Sequence, residues 1–334
     1  MKKLRVGIIG LGVGEQHIAG CEESAGAEAV VLCDFSPDKL REVSARHLGI
    51  AITGNADDVL DDPNIDVVSI ASWDNHHFPQ VMRAIKNGKH IFVEKPLCMN
   101  REEAREIRKA LSAKPKLKLS SNLILRKSKR FLQVKSLIQA GRLGKLFHLE
   151  ADYNFGRVEK ITTGWRGEIE YYSVIYGGGV HLIDLLRWFS GSEVSEVTAY
   201  GNRIATQGTA FRFDDMVVSI LKFRSGATGK MAANFGCVYP HFHPVSLYGT
   251  LATFQNTLEG GRLITDRRPD AQPELVDDPY PGCRKGELLA DFLDSLAQGR
   301  EAEVSAEDVF KTMSVCFAIE ESARSGASVK VEYI

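Results

Sequence analysis

Residues 177–188 read GGGVHLIDLLRW. Within a helical pattern, Leu182, Leu185, Leu186 and Phe189 take the i, i+3, i+4, i+7 spacing of a buried stripe. His181 and Asp184 are three apart and share one face, about 100° round from that stripe. An imidazole and a carboxylate there admit two readings. In one, His181 packs in the core and Asp184 pairs with it or with Arg187. In the other, the two face a cleft and handle a proton or a hydroxyl. The spacing alone leaves both open.

Three further stretches carry chemistry. GLGVG at 10–14 follows an apolar run and opens a helical one. Gly10, Gly12, Val13 and Gly14 would form a tight turn that lets a pyrophosphate approach a helix N-terminus. The usual spacing is G-x-G-x-x-G; here the third glycine comes one residue early and Glu15 stands in its place. Asp34 ends the second apolar run. A carboxylate there accepts hydrogen bonds from the adenosine ribose and repels a 2′-phosphate, which favours NAD over NADP. The alternative is that Asp34 only caps the helix starting near Ser36. VEKP at 93–96 ends another apolar run. Glu94 and Lys95 would emerge at the carboxyl end of a parallel strand, where ligands bind in open α/β sheets. A lysine beside a cofactor and a histidine can serve in proton transfer; the alternative is a surface ion pair before a proline turn. The turn is expected to hold Lys95–Pro96 in the cis form, which only X–Pro bonds adopt cheaply.

Other candidates lie further along. Arg126 and the pair Trp165-Arg166 suit an anionic or ring-bearing substrate. His241 and His243 in YPHFHP point the same way if that stretch is extended. Cys237 with these histidines invites a metal reading, but a fourth ligand is not evident, so no metal site is expected. His76 and His77 read as part of a cofactor loop.

The elements that must position these residues follow from periodicity. Apolar runs at 4–9, 29–33, 66–71 and 90–93 alternate with helical patterns at 14–24, 37–47, 76–87 and 100–112, and 114–122 reads as a last strand. This is the rhythm of a doubly wound parallel sheet. Beyond it, helices at 128–140 and 179–189 accompany strand-like runs at 145–153, 194–204, 216–223, 227–235 and 245–255. That order predicts an α+β domain with a large, mostly antiparallel open sheet. Residues 271–286 read as a loop, followed by helices at 286–298 and 305–324 and a strand at 328–333. The expected division is 1–122, dinucleotide-binding, and 123–334, substrate-binding and oligomerising, with the last helices able to pack back on the first domain.

The chain has 334 residues, a net charge of −1, 25% charged and 44% hydrophobic residues. These values fit an ordinary globular protein. The basic stretches at 114–118 and 126–130 are short, so nucleic acid is not an expected partner. The six cysteines form no C-x-x-C and no disulfide framework. The amino-terminal run is too short and glycine-rich for a signal peptide, and no apolar run approaches about 18 residues. A cytoplasmic protein with no membrane partner is expected.

Taken together, strand-GLGVG-helix, Asp34, SWDNHH (72–77), GKHIFVEKPL (88–97), GRLGKLFHLEADY (141–153) and GGGVHLIDLLRW resemble the Gfo/Idh/MocA oxidoreductases, in order and over nearly the whole chain. The family includes glucose–fructose oxidoreductase, inositol 2-dehydrogenase and several nucleotide-sugar dehydrogenases. The resemblance implies a Rossmann domain, an α/β substrate domain, a nicotinamide cofactor between them, and hydride transfer at a sugar or polyol carbon. It implies proton transfer by Lys95 and His181, substrate binding by Asp184 and Asn122, and cofactor contacts from Ser72, Trp73, His77, Glu94, Lys95 and Asn122. It also implies a homodimer or homotetramer formed through the open sheet. One departure matters for the substrate. Inositol-dehydrogenase-like members carry an Asp four residues before the histidine, where this chain has Gly177; its work would pass to Lys95 and His181, or to Tyr172 or Tyr176. A non-catalytic dinucleotide-binding sensor on the same fold is the alternative; it would not need the lysine and the histidine.

Overall fold

A computed structural model describes residues 3–334; the first two residues of the amino-terminal run lie outside the described residues. The chain divides into two compact units, residues 1–124 with 284–313 and 334, and residues 125–283 with 314–333.

The first unit is built on a six-stranded parallel sheet. Its strands are β1 (Leu4–Ile9), β2 (Ala27–Cys33), β3 (Ala51–Thr53), β4 (Val67–Ile70), β5 (His90–Val93) and β6 (Leu119–Ser121), in the order β3-β2-β1-β4-β5-β6. All four residues of β4 are buried, as expected for a strand covered on both faces. Helices α1 (Glu15–Glu23), α2 (Pro37–Arg46), α3 (Ala56–Leu60), α4 (Asp74–Lys86) and α5 (Arg101–Ser112) link the strands. Their starts are written in the sequence. Ser36 Oγ accepts from Lys39 N at 3.3 Å, and Asn100 Oδ1 accepts from Glu103 N at 2.9 Å. Strand order reverses between β1 and β4, which marks the carboxyl ends of those strands as the ligand-binding edge. The periodicity missed β3 and α3, which are three and five residues long and too short to show a period.

The second unit holds a nine-stranded sheet. Helix α6 (Lys129–Gln139) precedes β7 (Leu146–Asn154), short helices α7 (Glu159–Thr162) and α8 (Trp165–Glu168), one π-helical turn (Ile175–Gly179), and α9 (Val180–Ser190). Then come β8 (Val194–Asn202), β9 (Met216–Phe223), β10 (Thr228–Asn234), β11 (Val245–Gly249), β12 (Thr253–Thr257), β13 (Gly260–Ile264) and β14 (Glu274–Val276). Helix α10 (Glu287–Gln298) belongs to the first unit; α11 (Ala306–Ser325) starts in the first and ends in the second, followed by β15 (Val329–Lys330). The sheet order is β14-β13-β12-β11-β7-β10-β9-β8-β15, antiparallel throughout except for the parallel pair β7–β10. The single run expected at 245–255 is two strands, because the chain turns at 249–252 and pairs β11 with β12. The expected loop at 271–286 includes β14, which pairs with β13.

The inner face of this sheet carries Leu149, Ala151, Leu221, Met231 and Leu247, all buried, and α9 packs against β7. Nine of the 11 residues of α9 are buried, so it is enclosed on all sides rather than along one stripe. The Lys95–Pro96 bond is cis, as expected, and Tyr280–Pro281 is cis as well.

Candidate functional site

In the first unit, the GLGVG turn sits at the end of β1. Gly10 has φ +87°, and a Cβ on it would lie 2.3 Å from the Ala71 carbonyl oxygen, so only glycine fits. Gly14, the early third glycine, would place a Cβ 2.2 Å from the Gly10 carbonyl oxygen. It therefore does the close-packing work that the longer spacing gives to a later residue. At Gly12 a Cβ would meet nothing within 4 Å, which leaves open space beside the loop. Helix α1 then starts without a side-chain cap, and the Gln16 and His17 amides donate to the Val13 and Gly14 carbonyl oxygens, both at 2.9 Å.

Asp34 does more than either reading allowed. Its Oδ2 accepts from Leu11 N at 2.7 Å and its Oδ1 from Ser36 N at 2.9 Å, so the carboxylate ties the glycine loop to the end of β2. Ser36, not Asp34, caps α2. Ser72 Oγ donates to Gln80 Oε1 at 2.8 Å, and Trp73 precedes α4 with its ring edge-on to the exposed Phe35 at 5.5 Å. His77 is fully buried. Its ring nitrogens lie 2.6 Å from the Pro96 carbonyl oxygen and 3.0 Å from that of Ser72, so it clamps two loops together.

Glu94 lies at the centre of a buried network that the sequence did not disclose. Asn122 Nδ2 donates to Glu94 Oε1 at 2.6 Å and to the Lys285 carbonyl oxygen at 3.1 Å. His17, on α1, places Nε2 3.4 Å from Glu94 Oε1 and Nδ1 2.8 Å from Ser69 Oγ. Burial pushes the Glu94 carboxyl up, but the His17 hydrogen bond and the charges of Lys285, His17 and Lys95 outweigh it and hold the group well below the usual carboxylate range. Lys95 follows at the partly exposed edge of the strand. Asn122 is fully buried, and its Oδ1 finds no partner among the described residues. A buried orphan acceptor is costly unless a ligand completes it.

In the second unit, the glycines before α9 admit aromatic rings. A Cβ on Gly177 would lie 1.9 Å from Tyr172 Oη, and one on Gly178 would lie 2.7 Å from the Tyr153 ring. The Tyr172 hydroxyl thus fills the space where a side chain at 177 would begin. His181, buried, stacks nearly parallel on Tyr153 with ring centroids 6.3 Å apart. Tyr153 also meets His243 at 4.8 Å and His241 at 5.3 Å.

Asp184 has Arg126 as a close partner. Arg126 forks it, Nε to Oδ2 at 2.8 Å and Nη2 to Oδ1 at 2.6 Å, with both side chains buried. Arg187 approaches only to 4.0 Å and instead grips Glu193 at 2.8 Å. Two residues expected to bind substrate separately are therefore bound to each other. Tyr176 is also redirected: its ring packs edge-on to Phe317 at 5.9 Å and Tyr171 at 6.3 Å, inside the core. The His243 Nδ1 and the Tyr280 hydroxyl share a hydrogen bond, and Arg157 donates to His241 Nδ1. Cys237 Sγ is directed at the Asn234 carbonyl oxygen at 3.4 Å. Among the described residues no group of three or more His, Cys, Asp or Glu stands together as metal ligands. Sequence reading overlooked His17, Tyr153 and Lys285; only His17, on the face of α1 just past the glycine loop, left a local signal.

Comparison with known proteins agrees with this architecture. Residues 4–122 match the family model described as an oxidoreductase family with an NAD-binding Rossmann fold, and residues 131–255 match the GFO/IDH/MocA C-terminal domain; together they span well over half of the chain. The chain belongs to the Gfo/Idh/MocA family of oxidoreductases. Its cofactor is NAD, and the open glycine loop, uncapped α1 and Asn122 Oδ1 fit such a ligand. Among its relatives, the myo-inositol 2-dehydrogenase of Thermotoga maritima is 26% identical over 99% of each chain. The scyllo-inositol 2-dehydrogenase (NAD(+)) of Bacillus subtilis is 26% identical over 99% of this chain and 97% of that one. A levoglucosan dehydrogenase solved with NADH and levoglucosan superposes with a TM-score of 0.88 over 100% of both chains at 23% identity, a likeness of fold. Among the described residues no helix is long and apolar enough to cross a membrane.

Proposed function

We propose that the protein is an NAD-dependent dehydrogenase that oxidises a secondary alcohol on a sugar, a polyol or a nucleotide-linked sugar. Its relatives named inositol 2-dehydrogenase support a polyhydroxylated substrate. The observation that carries the reading is the buried Glu94–Asn122 pair, which presents Lys95 and an unpartnered acceptor at the carboxyl ends of β5 and β6. When bound, NAD takes up the hydride released from the alcohol carbon.

The chain's own groups divide the remaining work. Gly10, Gly12, Val13 and Gly14 bind the pyrophosphate, Asp34 the adenosine ribose, and Ser72 and Trp73 line the loop beside it. Asn122 Oδ1 accepts an N–H from the ligand. Lys95 and His181 are the proton-transfer groups for the substrate hydroxyl. Asp184 and Arg126 act as a fixed pair that sets the position of α9. Trp165, Arg166 and His243 are substrate contacts. The outward face of the nine-stranded sheet, with Tyr200 and Ile220 exposed, supports a homodimer or homotetramer, and six free cysteines support a reducing, cytoplasmic setting.

The test is NADH formation across a panel of sugars and polyols, followed by variants. Lys95→Met and His181→Ala should each lower kcat by about 10²–10⁴-fold and leave NAD affinity nearly unchanged. A His181→Ala protein with a lower Tm but normal turnover would return that residue to the core. Tight NAD binding with no substrate-dependent NADH formation would favour a sensor.

A further inference from the structure

We infer that the substrate carries an oxyanion on the sugar, a carboxylate or a phosphate, and that Arg166 and Arg157 receive it. This rests on the dehydrogenase reading and narrows its substrate class.

Aromatic rings hold both cations. The Arg166 guanidinium lies 4.5 Å from the Trp165 ring centroid and 6.0 Å from that of Tyr172. The Arg157 guanidinium lies 4.9 Å from the Phe155 ring centroid and donates to His241 Nδ1. Among the described residues neither has a carboxylate partner, whereas Arg126, Arg142, Arg187 and Arg300 each do. Stacking on an aromatic face fixes the plane of a guanidinium without neutralising it. It leaves N–H donors in a fixed fork, the geometry that suits a carboxylate or phosphate.

Both cations flank the aromatic cluster beside His181. Phe155 and Tyr153 stack at 6.2 Å, Phe155, Tyr153 and Tyr172 all meet Phe235, and Tyr153 stacks on His181. Burial drives the Tyr153 phenol up to about 12, against the opposing charges of Arg157 and Arg166. The Arg166-contacting Tyr172 carries its hydroxyl into the space above Gly177, four residues before His181. The carboxylate on the same helix that would repel an anion, Asp184, is neutralised by the fork of Arg126. A neutral polyol presents hydroxyls that need acceptors as much as donors. This surround offers cationic donors in excess.

The test compares matched substrates on the whole protein with NAD: neutral polyols and anhydrosugars, aldonates and uronates, and sugar phosphates. At least one anionic arm should exceed its neutral counterpart in kcat/KM by about 100-fold, and which arm does so distinguishes carboxylate from phosphate. Arg166→Gln and Arg157→Gln should raise KM for that substrate by about 10- to 100-fold, with NAD affinity unchanged. Arg166→Lys, which keeps the charge and loses the fork, should fall between. KM for the anionic substrate should rise with ionic strength in the wild type and less in the variants. Neutral substrates turned over as well as anionic ones, or an anionic KM indifferent to both substitutions, would overturn the inference and leave the dehydrogenase intact. Failure of every arm to reduce NAD would sink the dehydrogenase reading and this inference with it.

Discussion

The two units bury charge in opposite ways. The first encloses a carboxylate, Glu94, among groups that come from three separate elements: His17 on α1 and Asn122 after β6 contact it, and Lys285 before α10 adds its charge. The second encloses a forked ion pair, Arg126–Asp184, and holds two other guanidiniums on aromatic faces. The first arrangement leaves an ionised group whose charge can act on its neighbours, Lys95 among them. The second cancels one charge and leaves others for a ligand. A buried charge satisfied by hydrogen bonds is thus a different device from one satisfied by a counter-charge, and variants can separate them.

The largest expected effect is in the ion pair. Arg126→Met removes the fork on the buried Asp184, and should cost about 3–5 kcal/mol of stability in a denaturant titration. The double variant Arg126→Met/Asp184→Leu should recover most of that loss, because the cost lies in the buried carboxylate that has lost its fork. If the double variant is no better than the single one, the pair contributes through something other than mutual neutralisation.

A smaller effect is expected at His17. The Glu94 carboxyl is held below its ordinary value, so its contribution to stability is fully present above the unfolded carboxylate pKa of about 4.3 and is lost as pH falls toward its folded value. His17→Phe removes one of the groups holding it down. The variant should therefore be less stable than wild type at neutral pH, and the gap should narrow as the solution is acidified below the ordinary carboxylate range. Urea titrations at several pH values read this directly; a gap that widens on acidification would show that His17 does not stabilise the ionised carboxylate.

The smallest effect concerns Asp34, a carboxylate that accepts from two backbone amides and that we propose also holds the ribose. Asp34→Ala should weaken NAD binding and narrow the preference for NAD over NADP, by about tenfold for each 1.4 kcal/mol of lost contact and repulsion. Equal binding of the two cofactors by the wild-type protein would remove the specificity role and leave Asp34 as the tether of Leu11.

Much of the fold was legible because its signals are local. Strands β1, β4 and β5 are apolar runs bounded by turns, α2 and α5 start at a serine and an asparagine, and β9 was expected over the residues it occupies. The glycine loop announced itself by type and spacing. Elements of three to five residues, such as β3, α3 and β14, were invisible because they are too short to express a period. The π-helical turn before α9 was likewise unreadable, since one inserted residue shifts a helical pattern without erasing it.

By itself the sequence determined the order of the elements, the edge of the first sheet where a ligand would lie, and the residue types that could act there. These depend on side-chain period and on backbone freedom, which are properties of neighbouring residues. Only the tertiary structure decided partners. It gave Asp184 to Arg126, 58 residues away, and set Asn122 on Glu94, 28 residues away. It also turned Tyr176 into the core and placed Tyr153 under His181. The physical reason is that a charge or a ring is satisfied by whatever the packing brings within a few ångströms, and packing is fixed by the whole chain at once.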